Sequence, residues 1–451
     1  MRNTALVLYG KLRDSFWFIP ALLALVAFLA ALTSLWIDHD LGSDWSSDLM
    51  WIFWAGTASG GRSVMSVIST SMMTVVSIVY SLTITTLSQT SAHYGPRVLR
   101  NFTSDRGNQF VLGAFIATFV FCLTVLRSIS SEDGHHFVPF ISVNIGVLLG
   151  LASLGVLIYY IHHIAQAIQA ENLIAGIGRD FEKAVPHLFP KDVGVPRQAG
   201  LPADDARWHS AYPLCSTRSG YLIGLDVAKL ISLAVQYDVV VRVEKRPGDF
   251  VPQGGALLRI YPVENVTAET AAGFRPCYSW GLHRTPDQDI LYSIQQMVEI
   301  ATHALSPGIN EPFTAITCLD WLGASLRRVS VQTPPSILRA DDDGRLRAII
   351  PHTSFSQMVS ASFDQVRLYG CGNPVIVRHL LATIAGLANN LQRHEDFDCL
   401  LDYIQLVAAD AGAALRDQRD RQDVELTAAR ARETLLEFQA ALPLLSGGAI
   451  V

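Results

Sequence analysis

Residues 63–88 read SVMSVISTSMMTVVSIVYSLTITTLS, and the fold turns on how that stretch is understood. Residues 64–87 are apolar enough to enter a bilayer. Yet Ser63, Ser66, Thr70, Thr74, Ser77, Ser81, Thr85 and Ser88 recur at steps of three and four. On an α-helix that spacing collects them on one face. Val67, Ile68, Val75, Ile78, Val79 and Leu82 cover much of the remainder. A hydroxylated stripe in a bilayer either lines water or packs against a neighbouring helix. Small hydroxyl residues let backbones approach and can bond to their own helix carbonyls. The span holds no Asp, Glu, Lys or Arg, which argues against a proton relay or a strongly ion-selective filter.

Three further runs, 16–36, 110–126 and 138–161, are also long and apolar enough to cross, a helical span needing about 20 residues. They explain why the 451-residue chain is 50% hydrophobic and only 16% charged. A typical soluble domain carries about 25% charged residues. The first run exceeds the ~7–15 apolar residues of a signal peptide and lacks a small-x-small cleavage site, so it reads as a retained span. Orientation follows from Lys and Arg near the spans. Arg2, Lys11 and Arg13 precede the first span, and Arg97, Arg100 and Arg106 lie between the second and third. Arg62 is the only Lys or Arg between the first and second, against Asp38, Asp40, Asp44 and Asp48. The bias predicts a cytoplasmic N-terminus and a cytoplasmic C-terminal region.

The fold class expected is membrane α-helical, with four transmembrane helices, followed by a cytoplasmic α+β domain with a small β unit and a helical C-terminal part. The expected divisions are a transmembrane domain over 1–165, a juxtamembrane connector over 166–205, a β-rich unit over 206–275 and a mainly helical domain over 276–451. Trp51, Ile52, Phe53 and Trp54 suggest an interfacial segment, and Gly56, Gly60 and Gly61 a break before the second span. That span continues to about Tyr94, where Gly95-Pro96 stops it. Gly146 and Gly150 give the fourth a GxxxG spacing for close approach. Farther on, 220–224, 239–244, 256–261 and 346–350 read as strands. Residues 227–236, 289–305, 313–328, 356–369, 374–392, 396–416 and 424–442 read as helices.

Three separated motifs resemble one family. They are Gly95-Pro-Arg-Val-Leu-Arg-Asn-Phe with Asp105-Arg106 and Gln109, His162-His-Ile-Ala-Gln-Ala-Ile-Gln, and Ala304-Leu-Ser-Pro-Gly-Ile-Asn-Glu-Pro-Phe-Thr-Ala. In that order they resemble a bacterial family of predicted membrane proteins, domain of unknown function 2254. The resemblance spans nearly the whole chain. It implies a multi-pass protein of the bacterial inner (plasma) membrane and transfers no catalytic residue.

The candidate sites each have two readings. His93, Tyr94, Arg97 and Arg100 form either the cytoplasmic mouth of a pore or an ordinary positive-inside anchor. His162 and His163, adjacent on a helix, point about 100° apart and cannot share a metal as i, i+4 ligands do. His135 and His136 carry as little metal signal. The segment Ser306, Gly308, Asn310 and Glu311, framed by Pro307 and Pro312, is either a rigid elbow or a ligand loop. Gly308 permits a positive φ, and Asn310 or Glu311 can cap the next helix. Asp287, Asp289 and His303 could join Asn310 and Glu311 in one polar site. The V-x-V…GDFV…GG-x-LL cadence of 239–258 looks like part of a biotinyl/lipoyl-type barrel. Lys245 lacks the flanking Met residues of a carrier, so a structural or assembly module is expected.

Six scattered cysteines without a CxxC pair argue against disulfides and zinc. A net charge of −6 gives no sign of nucleic-acid binding. No metal, cofactor or enzymatic motif is expected. The reading that follows is a homo-oligomeric, channel-like pore in the lipid bilayer, lined by the second span and assembled or gated by the cytoplasmic domain, its permeant ion or ligand unknown. The alternative is a membrane-anchored sensor or scaffold without transport. A membrane-bound enzyme with a site near residues 306–311 is a third reading.

Overall fold

A computed structural model describes residues 17–41, 57–95, 97, 105–129, 139–188, 195–196 and 206–442. The chain divides into two compact units, Met1–Asn172 and Leu173–Val451. Expected features at Arg2, Lys11, Arg13, Trp51–Trp54, Arg100, His135 and His136 lie outside the described residues.

The first unit is built from α1 (Phe18–Leu41), α2 (Ala58–Tyr94), α3 (Arg106–Ser128) and α4 (Phe140–Ala167). All four are long and apolar enough to cross a membrane. α3 is the central helix: ten of its 23 residues are buried, against seven of the 37 in α2. Gly60 and Gly61 do not break the chain as expected. They lie in the first turns of α2, where Gly61 is buried and faces Val143, and Thr57 caps the helix before them. The stop at Tyr94 falls where Gly95 takes φ 92°, a conformation that favours glycine. The Gly146/Gly150 pair does admit a close neighbour. Met65 of α2 reaches within 2.7 Å of where a Gly146 Cβ would stand.

Polar contacts latch both ends of the bundle. At one end Asp38 of α1 accepts the backbone N–H groups of Ile141 and Ser142, each at 2.9 Å. This carboxylate caps α4 from a different helix, where the N-cap residue, Pro139, supplies no side-chain cap. At that end Arg62 also donates to the carbonyl of Ile129, just past α3, at 2.6 Å. At the other end Asp105 caps α3 and meets His163 of α4. Ser34 and Ser142 join beside Asp38, and between the ends Thr83–Tyr160 and Thr118–Ser153 hydrogen bonds cross between helices.

The second unit begins within α5 (Ala170–Leu188), whose Ile174, Ile177, Phe181 and Val185 form one buried face. A six-stranded sheet follows. Its strands are β1 (Val195–Pro196), β2 (Tyr212–Cys215), β4 (Val240–Val243), β6 (Ala256–Tyr261), β8 (Leu338–Ala340) and β9 (Leu346–Ile349), in the order β1-β8-β9-β4-β6-β2. A three-stranded sheet holds β3 (Gly220–Leu225) between β5 (Phe250–Val251) and β7 (Tyr278–Gly281). β4 pairs antiparallel with β6 and parallel with β9. The cadence that suggested a barrel is therefore split between two sheets, and its β4 and β6 stand in the middle of an open mixed one. α6 (Val227–Gln236) and α7 (Ala268–Phe274) bury Leu230 and Phe274 with Leu222, Val241 and Leu258 in one core.

The remaining helices are α8 (Ile290–Ala304), α9 (Pro312–Ser330), α10 (Phe355–Gly370), α11 (Pro374–Ala385), α12 (His394–Ala414) and α13 (Gln418–Ala441). α8 packs on α9 and α10, and α13 on α11 and α12. α11 ends earlier than its apolar run suggests. Gly386 closes it and a 3-10 turn, Ala388–Asn390, follows.

Candidate functional site

Each residue of the α2 stripe is solvent-exposed in the protomer: Ser63, Ser66, Thr70, Thr74, Ser77, Ser81, Thr85 and Ser88. The face that α2 buries carries Gly61, Met65, Ser69, Met72, Val79, Thr86 and Thr90. At 3.6 residues per turn the two faces lie about 180° apart. The stripe is thus not the surface by which α2 joins its own bundle. Exposed Val67 and Ile78 flank it on one side, Met73, Tyr80 and Ile84 on the other. The hydroxyls of Thr74, Ser77 and Thr85 donate to the carbonyls of Thr70, Met73 and Ser81 at 2.9–3.0 Å.

The residues expected at the mouth separate. Tyr94 donates its hydroxyl to the Ile168 carbonyl at 3.4 Å, tying the end of α2 to the end of α4. His93 is exposed but about a third of a turn round from the stripe. Arg97 is exposed. His162 bonds to Gln166 at 3.0 Å, whereas His163 turns to Asp105. Among the described residues no group of acidic, histidine and cysteine side chains is arranged to hold a metal.

In the second unit, the loop at Ser306 closes on itself. Asn310 N–H donates to the Ser306 carbonyl at 2.9 Å and Glu311 N–H to the Ala304 carbonyl at 2.7 Å. Asn310, with φ 52°, takes the left-handed conformation, and Gly308, which could adopt it, does not. Glu311 occupies the N-cap position of α9 without a side-chain cap bond. Its carboxylate instead accepts the Thr314 hydroxyl at 3.3 Å. The five-residue polar site does not form. Asp289 precedes the first residue of α8 and His303 sits in its last turn, about 20 Å away along the axis.

Asp289 belongs to a different place. It caps α8, is buried, and pairs with Arg284 at 2.7 Å. Gly248, at φ 98°, lies against it: a Cβ there would stand 2.4 Å from Asp289 Oδ2. Beside this contact opens a cavity of about 380 Å³ bounded by the 246–249 turn, the start of α8, residues 335–339 and residues 350–353. Arg246, Arg339 and His352 line it. Burial lowers the pKa of Arg339. His352 is held below the ordinary histidine value first by burial, then by Arg393, Arg246 and Arg339, so its ring is neutral at pH 7. Sequence reading missed this site because its residues come from four segments with no shared spacing. The one local cue was an arginine within a three-residue strand. The buried thiols are poor nucleophiles, since burial pushes Cys277 up to about 11 and raises Cys318 as well.

Four membrane-length helices with a large α+β unit define a multi-pass membrane protein. The chain belongs to the family described as Predicted membrane protein (DUF2254), which matches residues 13–386. It is 31% identical over 389 residues to an uncharacterised protein of Mycobacterium bovis, covering 85% of this chain and 74% of that one. An uncharacterised protein of Mycobacterium tuberculosis is similar to the same extent. No solved structure matches.

Proposed function

We propose that the protein is a homo-oligomeric, channel-like pore in the bacterial inner membrane, with α2 of each copy turning its hydroxyl stripe towards a shared axis. The N-terminus and the second unit face the cytoplasm in this reading, where the second unit assembles or gates the pore. The observation that carries it is the opposition of the two faces of α2. One is spent on the bundle, while the other carries eight exposed hydroxyl residues along a helix of 37 residues. Small hydroxyl residues on an exposed helix face suit either close contact between copies or contact with water. Four spans enclose little space, so a conduit needs several protomers.

The test is thiol accessibility in the membrane, with the native cysteines replaced. Ser66→Cys, Thr74→Cys and Ser81→Cys are expected to react with a membrane-impermeant thiol reagent, and Ile78→Cys, on the flank, to react slowly. Shielding of all the stripe positions would defeat the pore. It would favour the second reading, a membrane-anchored sensor or scaffold. That reading draws support from the hydroxyls bonded to their own helix, which make the stripe tolerable without water, and from the arginine-lined cavity.

A further inference from the structure

The cavity beside Asp289 has an unequal charge balance. Its two acidic lining residues are already engaged. Asp249 accepts the backbone N–H of Arg246 at 2.9 Å. Asp289 accepts from Arg284 at 2.7 Å and from the backbone N–H of Tyr292 at 3.2 Å. Arg284 is thereby neutralised, and it also donates to Gln295 and lies over the Tyr292 ring. Arg246 is different: it lines the cavity, and its side chain has no hydrogen bond or ion pair among the described residues. Arg339, only 5% exposed, also lines this space and has an interaction of its own. His352 Nδ1 is buried there with no hydrogen-bond partner among the described residues. A buried polar atom left unpaired is costly, so a ligand or water is its natural complement. Val227, Ile350 and Met358 give the lining an apolar part, beside the polar Gln288, Gln295, Ser336 and Thr353. The volume falls in the range of small-molecule sites, about 300–1,000 Å³.

We infer that this cavity binds a small organic phosphate, with Arg246, Arg339 and His352 taking the oxyanion and Val227, Ile350 and Met358 receiving the apolar body. Guanidinium groups match phosphate oxygens by charge-assisted hydrogen bonds. The histidine contributes one nitrogen as donor, since the neutral ring has one N–H. The bounded volume suits a compact solute more than a lipid with two acyl chains. The inference is separate from conduction, and its test uses none.

The probe is phenyl phosphate, titrated into the full-length protein in detergent and read by calorimetry and by the melting temperature. Binding is expected, about tenfold tighter than inorganic phosphate because the ring buries apolar surface, and phenol should produce no response. Arg246→Ala and His352→Ala, both outside helices and strands, should each weaken phenyl phosphate by about tenfold with an unchanged melting temperature of the free protein. If one variant unfolds, the other decides. A wild type indifferent to phenyl phosphate overturns the inference, as does equal binding of phenol or undiminished affinity in the folded variants. Binding of dihexanoyl phosphatidic acid without any response to phenyl phosphate would assign the site to a lipid headgroup and overturn it too.

Discussion

His163 Nε2 lies 2.6 Å from Asp105 Oδ2, joining two residues 58 positions apart in the chain. Each belongs to one of the separated sequence motifs that carry the family resemblance. Asp105 does two jobs there, since its other oxygen accepts the Gly107 N–H at 2.8 Å and caps α3. Asp105→Ala should cost about 1 kcal/mol for the cap alone, and more with the histidine contact gone. In a double-mutant cycle, Asp105→Asn and His163→Ala should couple by about 1 kcal/mol, measured as apparent melting in detergent. Gly107→Ala offers an independent route, because its Cβ would stand 2.8 Å from His163 Nε2. That variant should lose the same coupling with both partners intact. Additive behaviour throughout would show the contact to be energetically idle.

Ser77 and Ser81 sit near the middle of the exposed face of α2. Ser77→Leu and Ser81→Leu leave the buried seam of Met72 and Val79 untouched, so both variants should fold and assemble. In planar bilayers each should abolish or sharply reduce the conductance of purified protein. Unaltered currents in both, or none from well-folded wild type, would remove the pore.

Gly178 of α5 meets the ring of Trp321 from α9, where an added Cβ would fall 2.2 Å from Cε3. An indole ring cannot yield as a flexible chain end can. Gly178→Ala should therefore destabilise the second unit by about 1–3 kcal/mol, the usual cost of overpacking, although alanine has the better helix propensity. Trp321→Leu should restore part of the loss. A Gly178→Ala protein more stable than wild type would show that the helices can separate freely.

Arg347, only 7% exposed on its side chain, bridges Asp341 and Asp238, each at 2.7 Å. The hydrogen bond from Arg347 is the main cause of an Asp341 pKa below the ordinary aspartate value. A carboxyl depressed on folding adds stability that is present above its unfolded pKa, about 3.9, and lost as pH falls through the lower folded value. Asp341→Asn should thus lower the melting temperature at pH 7. The gap to wild type should close as the solution is acidified below about pH 4. A gap that stays constant into that range would mean that the charge of Asp341 contributes nothing.

The membrane portion was legible because hydropathy and periodicity are local. The end of α2 at Tyr94 followed from Gly95-Pro96, and the hydroxyl face followed from steps of three and four. Gly60 and Gly61 misled because glycine signals a break only where nothing packs against it, and Gly61 packs against Val143. The parallel pairing of Val241 with Ala348 links residues more than a hundred positions apart, and no local spacing encodes it. The same distance hid Arg246, Arg339 and His352. Asp289 and His303 failed as a pair for a simpler reason: both lie at the ends of one helix, and a helix holds its ends apart.

The direction of the α2 hydroxyl bonds has its own consequence. Thr74, Ser77 and Thr85 have committed their protons to backbone carbonyls. Such hydroxyls present only lone pairs outward. At the levels of these three residues, a conduit walled by several copies would present an uncharged, electron-rich ring that solvates a passing cation without trapping it. At those three positions an anion would meet no hydroxyl proton, whereas the other five hydroxyls of the stripe have no such bond among the described residues. Discrimination by sign would then reside in which way the hydroxyls point, with no ionised side chain involved.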